Sequence, residues 1–388
     1  MWTDNAEYRC LISILRCALH KLSPESELFQ RVDMDRLFNV CKQHHLISIV
    51  SPFINSADDA DVDKETKQRF FNEAKVKNGI NLLYELEKRD VFQMLDNERI
   101  RYLPLKGSVL RQYYPEPNQR LMSDIDLFID EENADRVHEL MLAAGFECKS
   151  FDDTHHDVYY KKPVTFEIHR KLSYRFDDKW DTYYQTISEK LIRKNEDGYE
   201  YAFTPEDCYV YVFMHGYRHF VSNGIGIKFL LDLYLLITSN SLNWEYIESQ
   251  LKILGVVNEE AVFRKIAIKL FSSDIAEADR IMTELENDIV MIVFCSGAYG
   301  NRVAGVMQRI NRFGINKDDK NLKLKYGFSR FMNLPYAYSY EFPRLYKNPF
   351  GRVIIRIIRT ARAVTLRRKK TTEEWKLLKQ KQKNNTNP

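Results

Sequence analysis

The sequence lacks several features that would place it in whole classes of protein. No uncharged apolar run approaches the roughly 20 residues that a membrane-spanning helix needs. The first residues do not have the basic and then apolar order of a secretory leader. The six cysteines are scattered without a CxxC pair, which argues against a disulfide framework or a zinc site of common spacing. These absences predict a cytoplasmic protein with reduced thiols.

The chain also has little excess of charge of either sign. Its 58 lysines and arginines stand against 55 aspartates and glutamates, so bulk charge does not predict a polyanion-binding protein. The length of 388 residues and the hydrophobic content of 44% are sufficient for two or three folded domains.

The pattern of apolar residues divides the chain into four segments. Helical periodicity dominates residues 1–98 and 176–342. Residues 99–175 alternate between predicted strands (100–105, 125–129, 158–161 and 164–169) and predicted helices (108–114 and 132–144). Residues 343–388 predict a basic helix and a polar tail. We therefore predict an α+β fold in which a small mixed-sheet core lies between helical N- and C-terminal domains.

Asp124 and Asp126 are the most informative pair. They stand two residues apart on a predicted strand, so their side chains share one face while Ile125 and Leu127 face the other way. Two carboxylates on an apolar strand repel each other and are poorly solvated unless a cation lies between them. Mg²⁺ is the usual cation where the substrate is a nucleotide phosphate. The pair predicts a phosphoryl or nucleotidyl transfer site, and a strand end with two solvated aspartates is the alternative.

A glycine-serine step follows the preceding predicted strand. Gly107 would let the backbone approach a phosphate, and Ser108 would offer a hydroxyl at the N-terminus of the next helix. An ordinary N-cap turn explains the same two residues. Lys106 and Arg120 flank this region and are candidates for neutralising phosphate charge, although each could also lie on a solvated surface.

Glu167 is the candidate third carboxylate, on a strand that could pair beside the aspartate strand. In a two-metal site, one ion holds the triphosphate through both aspartates, and the other activates the acceptor hydroxyl beside the third carboxylate. Glu167 could also act as a general base, or form a cross-strand ion pair with a lysine. His169 shares its face and could contact the substrate, bond a carboxylate or have a purely structural role.

Two histidines share one face of a predicted helix further along the chain. His215 and His219 stand at i and i+4, a spacing that can bind zinc. No glutamate accompanies them as in HExxH, and no third ligand is evident, so we favour a helix face that lines the substrate cleft. Arg218 and Lys228 are close in sequence and could add positive charge to the same cleft.

These residues together resemble the uncharacterised nucleotidyltransferase family of bacteria, within the DNA polymerase beta-like nucleotidyltransferase superfamily. The similarity rests on residues 106–108, 120–127 and 167–169, and it continues through residues 205–207, 215–219, 229–233, 299–300 and 330–349. It implies a nucleotidyltransferase core in which Asp124, Asp126 and Glu167 bind metal. It also implies that Gly107 and Ser108 contact phosphate. The carboxylate pattern of the family is intact.

The resemblance implies transfer of a nucleoside monophosphate from an NTP, ATP among them, to an acceptor, with release of pyrophosphate. Two Mg²⁺ ions are expected. The acceptor could be a small molecule, a sugar, a protein side chain or an RNA end. The predicted contacts to nucleotide or acceptor are Lys106, Gly107, Ser108, Arg120, His169, His215, His219 and Lys228. The alternatives are a toxin-like enzyme that modifies tRNA or protein, and a non-catalytic nucleotide-binding module.

The segment after residue 343 interleaves basic and branched apolar residues at helical spacing. Three interpretations of this helix remain open. It could bind RNA through its positive charge, it could lie at a membrane surface, or it could pack on the protein with a solvated basic face.

Overall fold

The structure is a computed structural model that describes residues 1–25, 27–152, 156–173, 177–298 and 338–365, with the single residues 325, 328, 331, 332 and 334. A small five-stranded sheet is preceded and followed in the sequence by helices, which confirms the predicted α+β class. No helix in these ranges is both long enough and apolar enough to span a bilayer.

The elements follow one another in three groups. Before the sheet come α1 (Ala6–His20), α2 (Met34–Gln43), α3 (Ile47–Ser56) and α4 (Lys64–Asn97). The sheet region contains β1 (Tyr102–Pro104), α5 (Gly107–Leu110), β2 (Ile125–Ile129), α6 (Ala134–Ala143), β3 (Glu147–Ser150), β4 (His156–Lys161) and β5 (Val164–His169). After it come α7 (Asp178–Gln185), β6 (Ile192–Arg193), β7 (Tyr201–Ala202), α8 (Pro205–Asn223), α9 (Lys228–Ser239), α10 (Trp244–Leu254), α11 (Val257–Phe271) and α12 (Glu284–Ser296). Three further helices are Tyr338–Glu341, Pro343–Lys347 and Pro349–Thr365.

Polar caps determine where the long helices begin. The Thr204 hydroxyl accepts a hydrogen bond of 3.0 Å from the backbone N–H of Asp207, and Pro205 occupies the first turn of α8. The Asp63 carboxylate accepts a bond of 2.8 Å from the backbone N–H of Thr66 at the start of α4. At the other end of a helix, Gly145 with φ +86° follows α6 in the left-handed conformation that glycine favours.

The sheet has the strand order β1–β2–β5–β4–β3. Strand β2 pairs antiparallel with β1 and parallel with β5, and this parallel register sets Asp126 opposite Glu167. Strands β4 and β5 pair antiparallel as a hairpin. The sheet is therefore mixed, and the two acidic strands are neighbours, as the sequence predicts.

The sequence does not predict the strands β3, β6 and β7. The edge strand β3 alternates only between exposed and half-buried residues and carries an irregular register between Cys148 and Ser150, so it lacks the apolar alternation that identifies a strand. The β6–β7 hairpin has two residues in each strand, which is too short to give a pattern. The predicted helix over residues 108–114 is shorter, because α5 gives way to a 3₁₀ turn at Arg111–Tyr113.

The sheet separates two apolar layers. On one face, Ile125 and Ile168 pack with residues of α4 and α6. On the other face, Phe128 packs with Tyr184 of α7 and Tyr211 of α8. Because side chains alternate along a strand, Asp126 shares the face of Phe128. The acidic pair therefore points toward the helices that follow the sheet.

The helices before and after the sheet share one hydrophobic core. Leu11 and Ile49 from the first helices belong to the same buried cluster as Phe213, Leu231 and Phe263. This contact runs between segments that the sequence assigns to separate domains, 1–98 and 176–342. Those boundaries, and the boundary at 343, stay predictions.

The basic C-terminal segment is described as far as residue 365. Its helix Pro349–Thr365 exposes Phe350 and Ile357 and pairs Arg362 with Glu341. Residues 299–300, part of 330–349 and the polar tail lie outside the described residues. The three interpretations of this helix remain predictions.

Candidate functional site

A cavity of about 370 Å³ lies between the acidic face of the sheet, the turn into α5 and the helices α8 and α9. Most of the predicted site residues line it. They are Lys106, Gly107, Arg120, Asp124, Asp126, Glu167, His215, His219 and Lys228. The remaining two are Ser108, which does not line this cavity, and His169, which lies behind the carboxylates. Residues that are far apart in the sequence, from Lys106 to Lys228, thus line one cavity.

Asp126 lies at the centre of the acidic group and is only 3% exposed. Its Oδ1 accepts a bond of 2.5 Å from the Lys106 ammonium and lies 3.0 Å from Nε2 of His169. Burial alone would raise the pKa of this carboxyl, but Lys106 and His169 outweigh burial and hold the pKa below its usual range. Asp126 is therefore an anion at neutral pH, with positive charge already beside it.

Glu167 faces Asp126 from the neighbouring strand. Burial, followed by the negative charges of Asp126 and Asp124, raises the pKa of Glu167 to about 7. Asp124 lies one residue before β2, where burial and the Asp126 charge raise its pKa as well. The three carboxylates repel one another, and a divalent cation would relieve that repulsion.

The residues that could hold a metal differ in part from those that the sequence predicts. Ligand atoms of Asp126, Glu167 and His169 all lie within 4.8 Å of one another. Within the described residues this is the one group with such spacing, and it includes His169 in place of Asp124. The set fits a divalent cation, because two carboxylates and an imidazole supply negative charge and lone pairs. A metal-binding role of Asp124 remains a prediction.

Replacing Glu167 by glutamine is expected to stabilise the metal-free protein at pH 8 by on the order of 1–3 kcal/mol. The pKa of Glu167 is raised from 4.5 to about 7, so its contribution to stability is present below pH 4.5 and is lost as the pH rises to about 7. Glutamine removes this loss. Thermal unfolding in EDTA at pH 4 and pH 8 measures the effect, and equal shifts at both pH values would contradict it.

Gly107 and Ser108, at the start of α5, line two different cavities. A side chain at Gly107 would lie 3.3 Å from Cγ of Met122, so glycine leaves the room that the cavity needs at this turn. Ser108 instead lines a second cavity of about 620 Å³, and its buried hydroxyl forms no hydrogen bond within the described part of the chain. A phosphate contact from Ser108 stays a prediction, and Gly107 is the residue placed at the acidic cavity.

Lys106 is held in an unusual backbone conformation just before α5. Its φ of +46° is positive, which residues other than glycine rarely adopt, and this conformation costs about 1–3 kcal/mol of folding free energy. The ion pair to Asp126 holds its ammonium in the site. Burial lowers the pKa of Lys106, but Asp126 outweighs burial and raises it, so the ammonium stays charged. A phosphate contact from Lys106 stays a prediction.

The helix face with His215 and His219 lines the cavity, as the sequence predicts for a cleft wall. The two rings lie 4.6 Å apart between centroids. Burial, then the charge of Arg218, lowers the pKa of His219 to about 4, and burial also lowers the pKa of His215. Both rings are therefore neutral at pH 7. A side chain at Gly216 would lie 2.1 Å from the Phe229 ring, so glycine permits α8 to pack against α9 here.

Arg120 lines the cavity but its guanidinium is paired with Asp232 of α9. Its Nε and Nη2 donate to the two oxygens of that carboxylate, both at 2.8 Å, and the Tyr114 hydroxyl donates to it at 2.7 Å. The sequence predicts a phosphate contact for Arg120, which stays a prediction, and gives no indication of the role of Tyr114. The signal that could have found this pair is a single acid, Asp232, within the otherwise apolar stretch 229–237 of α9.

Lys228 begins α9 and reaches the same cavity. Its ammonium donates to the Leu121 carbonyl at 3.2 Å. Burial and the charge of Arg120 lower the pKa of Lys228 to about 7. Nearby, the Tyr84 hydroxyl of α4 donates to the Ser123 carbonyl at 2.6 Å, which holds the loop just before Asp124. The sequence does not predict this contact, because nothing in the pattern of α4 distinguishes Tyr84 from its neighbours.

Comparison with family models matches residues 30–272 to the family described as uncharacterised nucleotidyltransferase. The match covers more than half of the chain and includes every predicted site residue. Comparisons with curated proteins and with solved structures give no match.

Proposed function

Because the chain belongs to the uncharacterised nucleotidyltransferase family, we propose that it transfers a nucleoside monophosphate from an NTP to an acceptor hydroxyl. Pyrophosphate is the other product, and the reaction depends on Mg²⁺ or a similar divalent cation. The observation that carries the proposal is the register of β2 and β5, which sets Asp126 beside Glu167 at the cavity that Gly107 also lines. This arrangement supplies negative charge for a cation and an open backbone turn for phosphate.

The reaction breaks one bond and forms another at the α-phosphorus. The acceptor oxygen attacks in line, the new P–O bond forms, and the bond to the bridging oxygen of pyrophosphate breaks. Glu167 faces Asp126 at the same cavity, and its ionised carboxylate would receive the hydroxyl proton. Lys106 and Lys228 line the same cavity, and their positive charges would neutralise the triphosphate. A divalent cation bound at the carboxylates would polarise the phosphate and lower the pKa of the hydroxyl.

Labelled nucleotides test the proposal directly. The full chain and its Asp124→Ala/Asp126→Ala variant are incubated with a cell extract and with NTPs labelled at the α- or γ-phosphate. We expect the wild type alone to incorporate α-label, while γ-label leaves as pyrophosphate. Incorporation of γ-label would indicate phosphoryl transfer instead, and incorporation by the double variant would reject the site. Digestion of the labelled product by ribonuclease or protease separates an RNA acceptor from a protein and from a small molecule.

Replacing Lys228 by methionine is expected to raise the KM for NTP by roughly tenfold, because a charge-assisted hydrogen bond to phosphate contributes about 1.5–3 kcal/mol. Lys228→Arg keeps the charge and should restore most of the affinity. The exposed Lys252 of α10 offers a control, and Lys252→Met should leave the KM unchanged. Steady-state kinetics with varied NTP measure the effect. A fall in kcat with no change in KM would contradict a contact to the bound nucleotide.

A further inference from the structure

His169 lies beside two carboxylates of the acidic site. Its Nε2 lies 3.0 Å from Oδ1 of Asp126 and 3.9 Å from Oε2 of Glu167. Neighbouring ligands around an octahedral ion with bonds of about 2.1 Å stand roughly 3 Å apart. The separation of 3.0 Å from Asp126 matches that of neighbouring ligands, and a shift of less than about 1 Å by the Glu167 carboxylate would bring its oxygen to the same separation from Nε2.

The three side chains come from two strands that fix their positions. Asp126 lies on β2, while Glu167 and His169 alternate on β5, so the pleat directs both β5 side chains to the same face. His169 is 5% exposed and Asp126 is 3% exposed, so the site is shielded from solvent on the side of the imidazole. The Lys106 ammonium lies against the same Oδ1 of Asp126, so a bound cation would share this oxygen with the ammonium or displace it.

We propose that His169 is a direct ligand of the cation at Asp126 and Glu167, and that this mixed nitrogen and oxygen site selects Mn²⁺ over Mg²⁺. Mg²⁺ binds through oxygen ligands and waters, whereas first-row transition ions accept imidazole together with carboxylate. The ring binds through the Nε2 lone pair, with its one proton on Nδ1. The catalytic use of this ion rests on the proposed nucleotidyl transfer, but its binding does not.

Pulsed electron paramagnetic resonance of the full chain loaded with Mn²⁺ tests the ligand assignment. We expect ¹⁴N modulation from a coordinated imidazole in the wild type and its loss in His169→Gln. Glutamine can still donate a hydrogen bond to Asp126, so it preserves a purely orienting role while it removes the imidazole. Affinity for Mn²⁺ should fall by about tenfold or more in this variant. Affinity for Mg²⁺, measured by competition, should change far less.

His156 provides the matched control. Its ring centroid lies 5.1 Å from that of His169, and it is outside the three-residue group. His156→Gln should keep both the nitrogen modulation and the affinity for Mn²⁺. Modulation that persists in His169→Gln but disappears in His156→Gln would overturn the assignment.

Two other results would also overturn the inference. One is a wild-type spectrum without coordinated nitrogen, which decides the question even if a variant fails to fold. The other is an equal loss of Mn²⁺ and Mg²⁺ affinity in His169→Gln, which would remove the basis for selection. No nucleotide is present in these measurements. A protein that binds Mn²⁺ through His169 yet incorporates no α-label would therefore reject the proposed function alone.

Discussion

Asp126→Asn is expected to lower nucleotidyl transfer by about 10³-fold or more. The carboxylate that faces both Lys106 and Glu167 supplies the charge that a cation needs, and amide oxygen is a much weaker ligand. Loss of metal-assisted stabilisation is worth several kcal/mol, and about 4 kcal/mol corresponds to a factor of roughly 10³ in rate. Incorporation of α-label at saturating NTP and cation measures the loss.

The same substitution leaves the Lys106 ammonium without its nearest anion, so a loss of stability must be separated from a loss of chemistry. Lys106→Met combined with Asp126→Asn removes both charges and should recover much of the unfolding midpoint without recovering transfer. Asp130→Asn is the matched control, since Asp130 lies just after the same strand and pairs with Arg101 outside the cavity. Its activity should match the wild type. Appreciable transfer by folded Asp126→Asn would contradict the site.

The acidic part of the site could be predicted from sequence because its geometry is local. Alternation along a strand places Asp124 and Asp126 on one face, and the same rule joins Glu167 to His169. Only the pairing of two strands had to be assumed, and short apolar strands in one small sheet leave few alternatives. The family resemblance added the expectation that these acids serve a nucleotide, and the family match supports a nucleotidyltransferase without testing the roles of these residues.

The parts that could not be predicted depend on contacts between distant segments. Arg120 and Asp232 are 112 residues apart in sequence, and no periodicity links them. The direction of Ser108 depends on how α5 is rotated against β2, which a sequence pattern does not determine. The role of His169 depends on a separation of 3.0 Å from Asp126, while the pattern shows only that the two strands could be neighbours.

The packing of the predicted domains also depends on contacts between distant segments. Residues 1–98 and 176–342 each have helical periodicity, which shows that each helix has an apolar face but not which faces meet. In the structure, Leu11 and Ile49 share a core with Phe213 and Leu231. The first helices of the chain therefore pack against α8 and α9, which line the cavity. Lys228, at the start of α9, is positioned by this packing.

Breaking the ion pair between Arg120 and Asp232 is expected to cost about 3–5 kcal/mol of stability. Both side chains are buried, at 7% and 5% exposure, and the pair joins the loop before β2 to α9. Burial lowers the pKa of Arg120, but Asp232 outweighs burial and raises it, so Asp232→Asn would leave a buried, charged guanidinium without its carboxylate. Chemical denaturation of Asp232→Asn and of Arg120→Met measures the loss as a shift in the unfolding midpoint.

If Arg120 has a structural role, removal of its whole network should restore stability without weakening the binding of NTP. A phosphate contact from Arg120 does not predict this result. Arg120→Met, Asp232→Leu and Tyr114→Phe combined remove every member of the buried network, so no unpaired charge or hydroxyl remains. The triple variant should recover most of the stability that either charge variant loses, and its KM for NTP should stay near the wild-type value because Lys106 and Lys228 remain. Recovered stability with a KM raised tenfold or more would instead assign Arg120 to the nucleotide, as the sequence first suggested.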